Sequence, residues 1–418
     1  MGAKDAIPAG RVRRPAFLLG AVACLAVSTA CARYVAAPLD PEASLRRGAP
    51  APGSPLSYEE AVRLAVARNP DLAALRARVR EVGASPAREP VGVSVGRAVD
   101  RRGEVELELD VLSLLGVGKG AAERALAAAR GDEARLAVHA RAREIAGEIA
   151  EAFAILGPLR RLPDAEVDVD VSAFVRAGYE TSAAESAAAA VHATAIAARA
   201  ARKSEEESAV YTLARLLAYD GETLPVAVPA EDGWPVLGEI VASRLVASRA
   251  DVQRKIGAFE VADRDLRRAV AAQFPGLVLA PGLSGDPATA FGAVRLTLPV
   301  GASSAVRAAE AAREASRADV DSAVLDALLE AREARSKHVA ASSALAAARA
   351  RYQSSAELLR TTKTRVQVAT GSVIEIVYAS DAHVDAGRAL WEAGVLEARA
   401  RVKAARALGW PGPGGPSR

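Results

Sequence analysis

Val66-Ala67-Arg68-Asn69-Pro70-Asp71-Leu72 is echoed later in the chain by Val246-Ala247-Ser248-Arg249-Ala250-Asp251-Val252, a displacement of 180 residues from Asp71 to Asp251. Downstream of each copy a second match follows. Val117-Gly118, with Arg124-Ala125 and Ala128-Ala129-Arg130 behind it, returns as Val300-Gly301, Arg307-Ala308 and Ala311-Ala312-Arg313, displaced by 183 residues from Val117 to Val300. Two matched points with nearly equal offsets mark a duplicated unit.

Between the matched points the hydrophobic period changes. Val91, Val93 and Val95 alternate with small or polar residues; after Asp100-Arg101-Arg102-Gly103 the alternation resumes at Val105, Leu107, Leu109 and Val111. Period two on both sides of a polar turn predicts a β-hairpin. The second unit repeats it, with Leu277-Val278-Leu279-Ala280, a turn around Gly285-Asp286-Pro287, and Val294, Leu296 and Leu298. Each unit therefore reads helix, hairpin, long helices.

The first helix opens at Ser57-Tyr58-Glu59-Glu60, a capping box, and its apolar stripe predicts a run through Leu64, Leu72, Leu75 and Val79. No proline occurs from Gly301 to Trp410, and Val320, Val324 and Leu328 keep helical spacing. One helix over residues 305–368 would extend about 96 Å at about 1.5 Å per residue, far more than a compact globule needs. Ile145, Ile149, Phe153 and Leu156 form a stripe in the first unit that suits a core helix or a coiled coil equally. Gly178 and Gly371 are the expected turns where each ascending helix hands over to a descending one. The first arm is the shorter, and Gly157-Pro158 with Pro163 is expected to interrupt it.

Composition fits this layout. The 418 residues are 51% hydrophobic and only 4% aromatic, so long packed helices are favoured over cores of bulky side chains. Net charge is +3, with basic and acidic residues interleaved along the helices, and no nucleic-acid footprint is read from it. At the N-terminus Arg11, Arg13 and Arg14 precede an apolar run from Ala16 to Val27 and then Ser28-Thr29-Ala30-Cys31, the pattern of a secretory signal. Small residues before a cysteine resemble a bacterial lipobox, which makes Cys31 the expected lipidated first residue of the mature chain. Both cysteines, Cys24 and Cys31, lie in this region.

Beyond the signal no run of about 18 apolar residues appears, so strands must do any spanning of a bilayer. Inside lipid every backbone amide must be paired, and an open sheet edge is not allowed. Two hairpins give four strands, fewer than the roughly eight of the smallest closed membrane barrels. Three copies would supply twelve, and the same arrangement would let the long helices assemble into a tube. With the apolar residues toward lipid, Glu104, Glu106, Glu108 and Asp110 are expected to face the lumen, which would favour cations or simply keep a water-filled lumen polar.

These residues together resemble the TolC-like outer-membrane efflux family, the outer-membrane factors. The resemblance is carried by Leu56-Ser57-Tyr58-Glu59-Glu60-Ala61-Val62 through Asn69-Pro70-Asp71-Leu72, by Ser248-Arg249-Ala250-Asp251-Val252, by Phe274-Pro275 leading into a strand, and by Leu298-Pro299-Val300 leading into a helix. It covers about Leu56 to Trp410, most of the chain. It implies an α+β membrane protein: a homotrimer with a twelve-stranded barrel, four strands per chain, continued by an α-helical coiled-coil tunnel through the periplasm. Implied partners are a periplasmic adaptor, an inner-membrane pump and outer-membrane lipid, with no cofactor and no catalysis. Helix-to-helix turns at the tunnel tip follow a glycine with Ser or Thr three residues on in the family; Gly178 with Thr181 fits, and Gly371 with Ser372 immediately after it fits more loosely. Acidic residues just beyond the turn constrict the closed end in relatives, which makes Glu375 and Asp381 the gate candidates. The expected division is a signal over residues 1–30, a lipid-anchored linker over 31–55, repeats over 56–227 and 228–410, and a tail over 411–418.

Other chemistry finds little support. Gly116-Val117-Gly118-Lys119-Gly120 superficially suggests a phosphate cradle, but no Ser or Thr follows Lys119 and no glycine stands five residues before it, so it reads as a strand-to-helix turn. His139, His192, His338 and His383 are too far apart for a local ligand motif. Asp381, His383 and Asp385 stand two apart on a helix, about 200° around the axis from one another. A periplasmic adaptor or structural coiled-coil lipoprotein is the alternative, although an adaptor would carry one helical hairpin inside a β-rich domain where this chain has two tandem units.

Overall fold

Ser57 starts the described fold as its sequence predicts: its hydroxyl accepts a hydrogen bond from the Glu60 N–H at 3.3 Å and caps helix α1, Tyr58–Arg68. The computed structural model describes residues 55–84, 91–97, 103–110, 118–163, 175–176, 181–219, 224–227, 240, 242–274, 276–284, 289–297, 302–368 and 370–410. Cys31 and Gly178 lie outside these residues, as do the two hairpin turns.

The expected single helix through Val79 is two helices. Asn69 adopts ψ 125° and α2 begins afresh at Pro70, running to Ala84. Proline disfavours the helical region for the residue before it, which favours a break here. The second unit repeats it without proline: α5, Ala242–Ser248, and α6, Ala250–Ala271, are separated by Arg249 at ψ 118°. The break itself, and not the proline, is what the 180-residue echo preserves.

Each unit then gives a hairpin and two further helices. In the first, β1 (Val91–Arg97) and β2 (Gly103–Asp110) lead to α3 (Lys119–Arg161) and α4 (Ser182–Leu216); in the second, β3 (Gly276–Ser284) and β4 (Thr289–Thr297) lead to α7 (Ala302–Gln367) and α8 (Val373–Ala407). Gly118 precedes α3 at φ 83°, a left-handed value that suits glycine and ends the expected turn, of which Gly116 and Val117 lie outside the described residues. At 66 residues α7 extends about 99 Å.

Gly157-Pro158 does not interrupt α3, contrary to expectation: the helix continues to Arg161 and ends before Pro163. Two contacts explain the tolerance. The Pro158 ring packs where Gly394 of α8 has no side chain, since a Cβ there would come within 2.9 Å of Pro158 Cβ. Arg202 of α4 donates to the Leu159 and Leu162 carbonyls at 2.6 and 2.7 Å, so the helix end finds its partners from a neighbour.

The main core lies where α1, α3 and α4 meet. Ile145, Ile149, Phe153 and Leu156 are all buried there, with Leu72, Leu213 and Leu56. Leu56 also pairs with the segment after α4, its N–H donating to Pro225 O at 2.8 Å, which closes the first unit on itself. Tyr58 stands edge-on to Phe153, and burial followed by the nearby Glu59 charge pushes its hydroxyl up to about 12.

α7 packs differently. Between Ala331 and Val366 the covered residues of α7 include Ala331, Ala334, His338, Ala341, Leu345, Ala348, Tyr352, Ser355, Leu359, Thr362 and Val366, in alternating steps of three and four, with half-buried Ser342, Ala356 and Lys363 flanking that line. That is a heptad seam, and its partner is antiparallel α8.

Candidate functional site

The four strands form one antiparallel sheet in the order β1-β2-β3-β4. Glu104, Glu106, Glu108 and Asp110 occupy every second position of β2. Their register partners are Gly96, Ser94 and Gly92 on β1, and Ser284, Gly282 and Val278 on β3. Directly opposed residues share a sheet face, so the carboxylate positions lie on one face among mostly small neighbours. Arg295 joins them through its pairing with Val278. The other face holds Val91, Val93 and Val95, Val105, Leu107 and Leu109, Leu279 and Leu283, and Val294 and Leu296. Pro281 sits where the β2–β3 ladder skips, because proline has no N–H to contribute.

At the other end of the long helices Gly371 lies in the turn between α7 and α8. Thr370 turns the chain by donating from both N–H and hydroxyl to Arg365 O, and Ser372 caps α8 by accepting from the Ile374 N–H at 3.3 Å. A Cβ on Gly371 would stand 3.3 Å from Arg365, Val366 and Glu375 atoms at once, which leaves little room for any side chain. Glu375 reaches Arg365 at 3.5 Å across the turn. Asp381 is exposed and lies farther along α8, so the structure does not bring the two acidic candidates together. Thr181 is the N-cap position of α4, although its side chain makes no cap bond. Val373, Val377 and Val384 pack against Ala184, Ala188, Val191 and Ala195, joining the starts of α4 and α8.

Where α6 begins and α8 ends, a groove of about 1090 Å³ opens between α3, α7 and α8. Three of its lining cations are paired with carboxylates. Arg249 bridges Asp251 and Glu330, each at 2.6 Å; burial pulls its guanidinium down, but these hydrogen bonds outweigh that and hold it well above its usual range. Lys337 pairs with Glu333 at 2.6 Å, and Arg399 with Glu205. Among the described residues no cluster of His, Cys, Asp and Glu could hold a metal, and no helix is long and apolar enough to cross a membrane.

One polar cluster escaped the sequence reading. His383 of α8 is buried in the α7–α8 seam, 3.1 Å from Ser355 Oγ and stacked on Tyr352 with ring centroids 4.7 Å apart. Its only local signal was a histidine on a helix that buries both flanks.

No family model and no curated relative matches the chain. Solved structures do. The outer-membrane channel OprN superposes with a TM-score of 0.69 at 18% identity, covering 85% of this chain and 90% of that one. The open-state MtrE outer-membrane channel of Neisseria gonorrhoeae gives 0.68 at 17%, covering 84% and 88%. The chain has the fold of the outer-membrane channels. The CmeC channel of Campylobacter jejuni agrees, with a TM-score of 0.66 at 15% identity over 86% of this chain and 87% of that one.

Proposed function

We propose that the chain is one protomer of a homotrimeric outer-membrane efflux duct, a passive exit whose substrates are driven by an inner-membrane pump and handed over by a periplasmic adaptor. The observation that carries this is the sheet. Among the described residues β1 pairs only with β2 and β4 only with β3, so a single copy has two unpaired edges flanking an apolar face. Hydrocarbon does not tolerate unpaired edges, and four strands are too few to close a barrel. Three copies joined edge to edge supply twelve strands and remove every edge.

The helices support the same assembly. α7 satisfies one seam and leaves Leu325, Leu329, Val339 and Leu358 more than half exposed, a surface suited to neighbouring copies. In this reading the carboxylate face of β2 lines the lumen and Cys31 carries the lipid anchor in the outer membrane. Gly178 and Thr181, with Gly371, Glu375 and Asp381, form the periplasmic tip and gate. The two repeats divide at about residue 228, and the duct performs no catalysis.

The test is electrophoresis of the outer-membrane fraction with and without boiling. A heat-sensitive trimer is expected. A water-soluble monomer overturns the proposal.

A further inference from the structure

The α7–α8 seam is mostly alanine and aliphatic residues, yet three hydroxyl-bearing or imidazole side chains, Tyr352, Ser355 and His383, meet in it about three to five turns above Gly371. Ser355 Oγ donates to Tyr352 O at 2.8 Å and also lies 3.1 Å from His383 Nδ1. A serine hydroxyl has one hydrogen, and here it is committed to the Tyr352 carbonyl. Ser355 Oγ therefore accepts from His383, which fixes the neutral imidazole with its hydrogen on Nδ1. A second proton must enter at Nε2, for which the described residues provide no hydrogen-bond partner.

The surroundings oppose that proton. His383 is 7% exposed. From α7 it meets Tyr352, Ser355 and the field of the Lys363 ammonium. α4 packs against the neighbouring Val377 and Val384 through Ala188, Val191 and Ala195, and its titratable groups along that stretch are Glu185, His192 and Arg199. On α8 itself Asp381 is exposed, and Asp385 pairs with Arg388 at 2.9 Å. Among the described residues no carboxylate bonds to the ring to compensate a charge. Stacking on Tyr352 attracts an imidazolium, but only partly offsets loss of solvation. Burial first and Lys363 second hold the imidazole below its ordinary 6.5. One turn away, Ser380 Oγ is buried with no hydrogen-bond partner among the described residues.

We propose that His383, seated against Ser355 and Tyr352, is a proton-sensitive joint in the α7–α8 hairpin, and that proton uptake at Nε2 loosens the seam on either side of it. The sign follows from the depressed value: the loosened hairpin binds the proton more readily than the packed one. The stabilising contribution is complete above about pH 6.5 and is lost as pH falls from there toward the packed-state value. The joint is a property of the hairpin and does not depend on conduction.

The experiment is amide hydrogen exchange of the full chain in detergent, corrected for intrinsic rates, read over residues 355–367 and 373–383 at pH 7.5 and pH 5.5. Exchange is expected to rise at the lower pH in the unmodified protein, by up to about tenfold, the limit set by pH 5.5 lying one unit below the ordinary value. His383→Gln, neutral throughout, is expected to show no rise. If His383→Gln does not fold, Ser355→Ala keeps the imidazole but removes its acceptor, and the pH midpoint of the response is expected to move. Equal protection at both pH values in the unmodified protein, an acid response that His383→Gln retains, or a midpoint that Ser355→Ala leaves in place overturns the proposal.

Discussion

Asn69 and Arg249 hold the same place in the two units and do the same work: each sends its side chain to a terminal carbonyl of its own unit's last helix. Asn69 Nδ2 donates to Leu216 O at 3.2 Å, and Arg249 Nη1 donates to Ala407 O at 3.3 Å. The short-helix/long-helix break is thus a joint in which the residue freed from helical geometry caps the C-terminus of the helix that returns to it. The chemistry differs, an amide in one and a guanidinium in the other, while the geometry persists.

Removing either cap should loosen its own unit. Asn69 is buried and also caps α2 by accepting from the Asp71 N–H at 3.0 Å, so Asn69→Ala gives up two hydrogen bonds and is expected to cost about 2 kcal/mol. Arg249→Met keeps the apolar stem but abandons Asp251 and Glu330, both more than half exposed, and is expected to cost about 1–2 kcal/mol. Thermal unfolding of the purified protein measures both, and an Asn69→Ala midpoint equal to the unmodified one would refute the capping role.

The ends of α4 and α8 carry a second parallel with an unusual residue in it. At α8, Gly409 at φ 78° is followed by Trp410, whose N–H donates to Ala405 O at 3.0 Å, while Gly409 donates to Arg406 O. At α4 the same bonds run from Tyr219 to Ala214 O and from Ala218 to Arg215 O, but Ala218 takes the left-handed conformation at φ 50°. A side chain there costs about 1 kcal/mol that glycine avoids. Ala218→Gly should therefore stabilise the protein by about 1 kcal/mol despite the looser unfolded chain, and a lowered melting midpoint would count against this account.

Local signals explain which parts of this fold were legible. Ser57 and Glu60, the valine alternation of the hairpins and the proline-free stretch over α7 each specify structure within a few residues, and the 180-residue echo marked the duplication without revealing the helix break inside either copy. What the sequence hid depends on partners far along the chain. Pro158 reads as a helix breaker until Gly394 and Arg202 are placed beside it, and Asn69-Pro70 reads as mid-helix until Leu216 needs a cap. The polar cluster at His383 was hidden for the same reason, since Ser355 and Tyr352 arrive from the opposite arm of the hairpin. Of the expected tip residues that the structure describes, Glu375 acquires a partner that sequence spacing did not suggest, Arg365.

That Arg365–Glu375 pair spans the turn with both side chains about half exposed, so it contributes at most about 1 kcal/mol to stability. Its value lies in position. If the tip is a gate, Glu375→Gln should leave thermal stability within about 0.5 kcal/mol of the unmodified protein while raising the conductance of reconstituted trimers in the resting state. Unchanged conductance together with unchanged stability would remove Glu375 from the gate.

The carboxylate face of β2 makes the sharpest demand on the duct reading. Glu104, Glu106, Glu108 and Asp110 share their face with glycine and serine on β1, and Arg295 is a single cation on β4 at the same level as Asp110 through Val278. Were this face turned to lipid, charges at those positions would cost several kcal/mol near the bilayer centre, so a water-filled lumen is the environment they suit. Replacing all four with Gln or Asn should bring the cation-to-anion permeability ratio toward unity, whereas Arg295→Gln should raise it. Both shifts should be large at 0.01 M salt, where fields reach about 30 Å, and small at 1 M, where they reach about 3 Å. A ratio that ignores the four substitutions at low salt would mean that β2 does not face the permeation path, and the orientation of the whole sheet would have to be reversed.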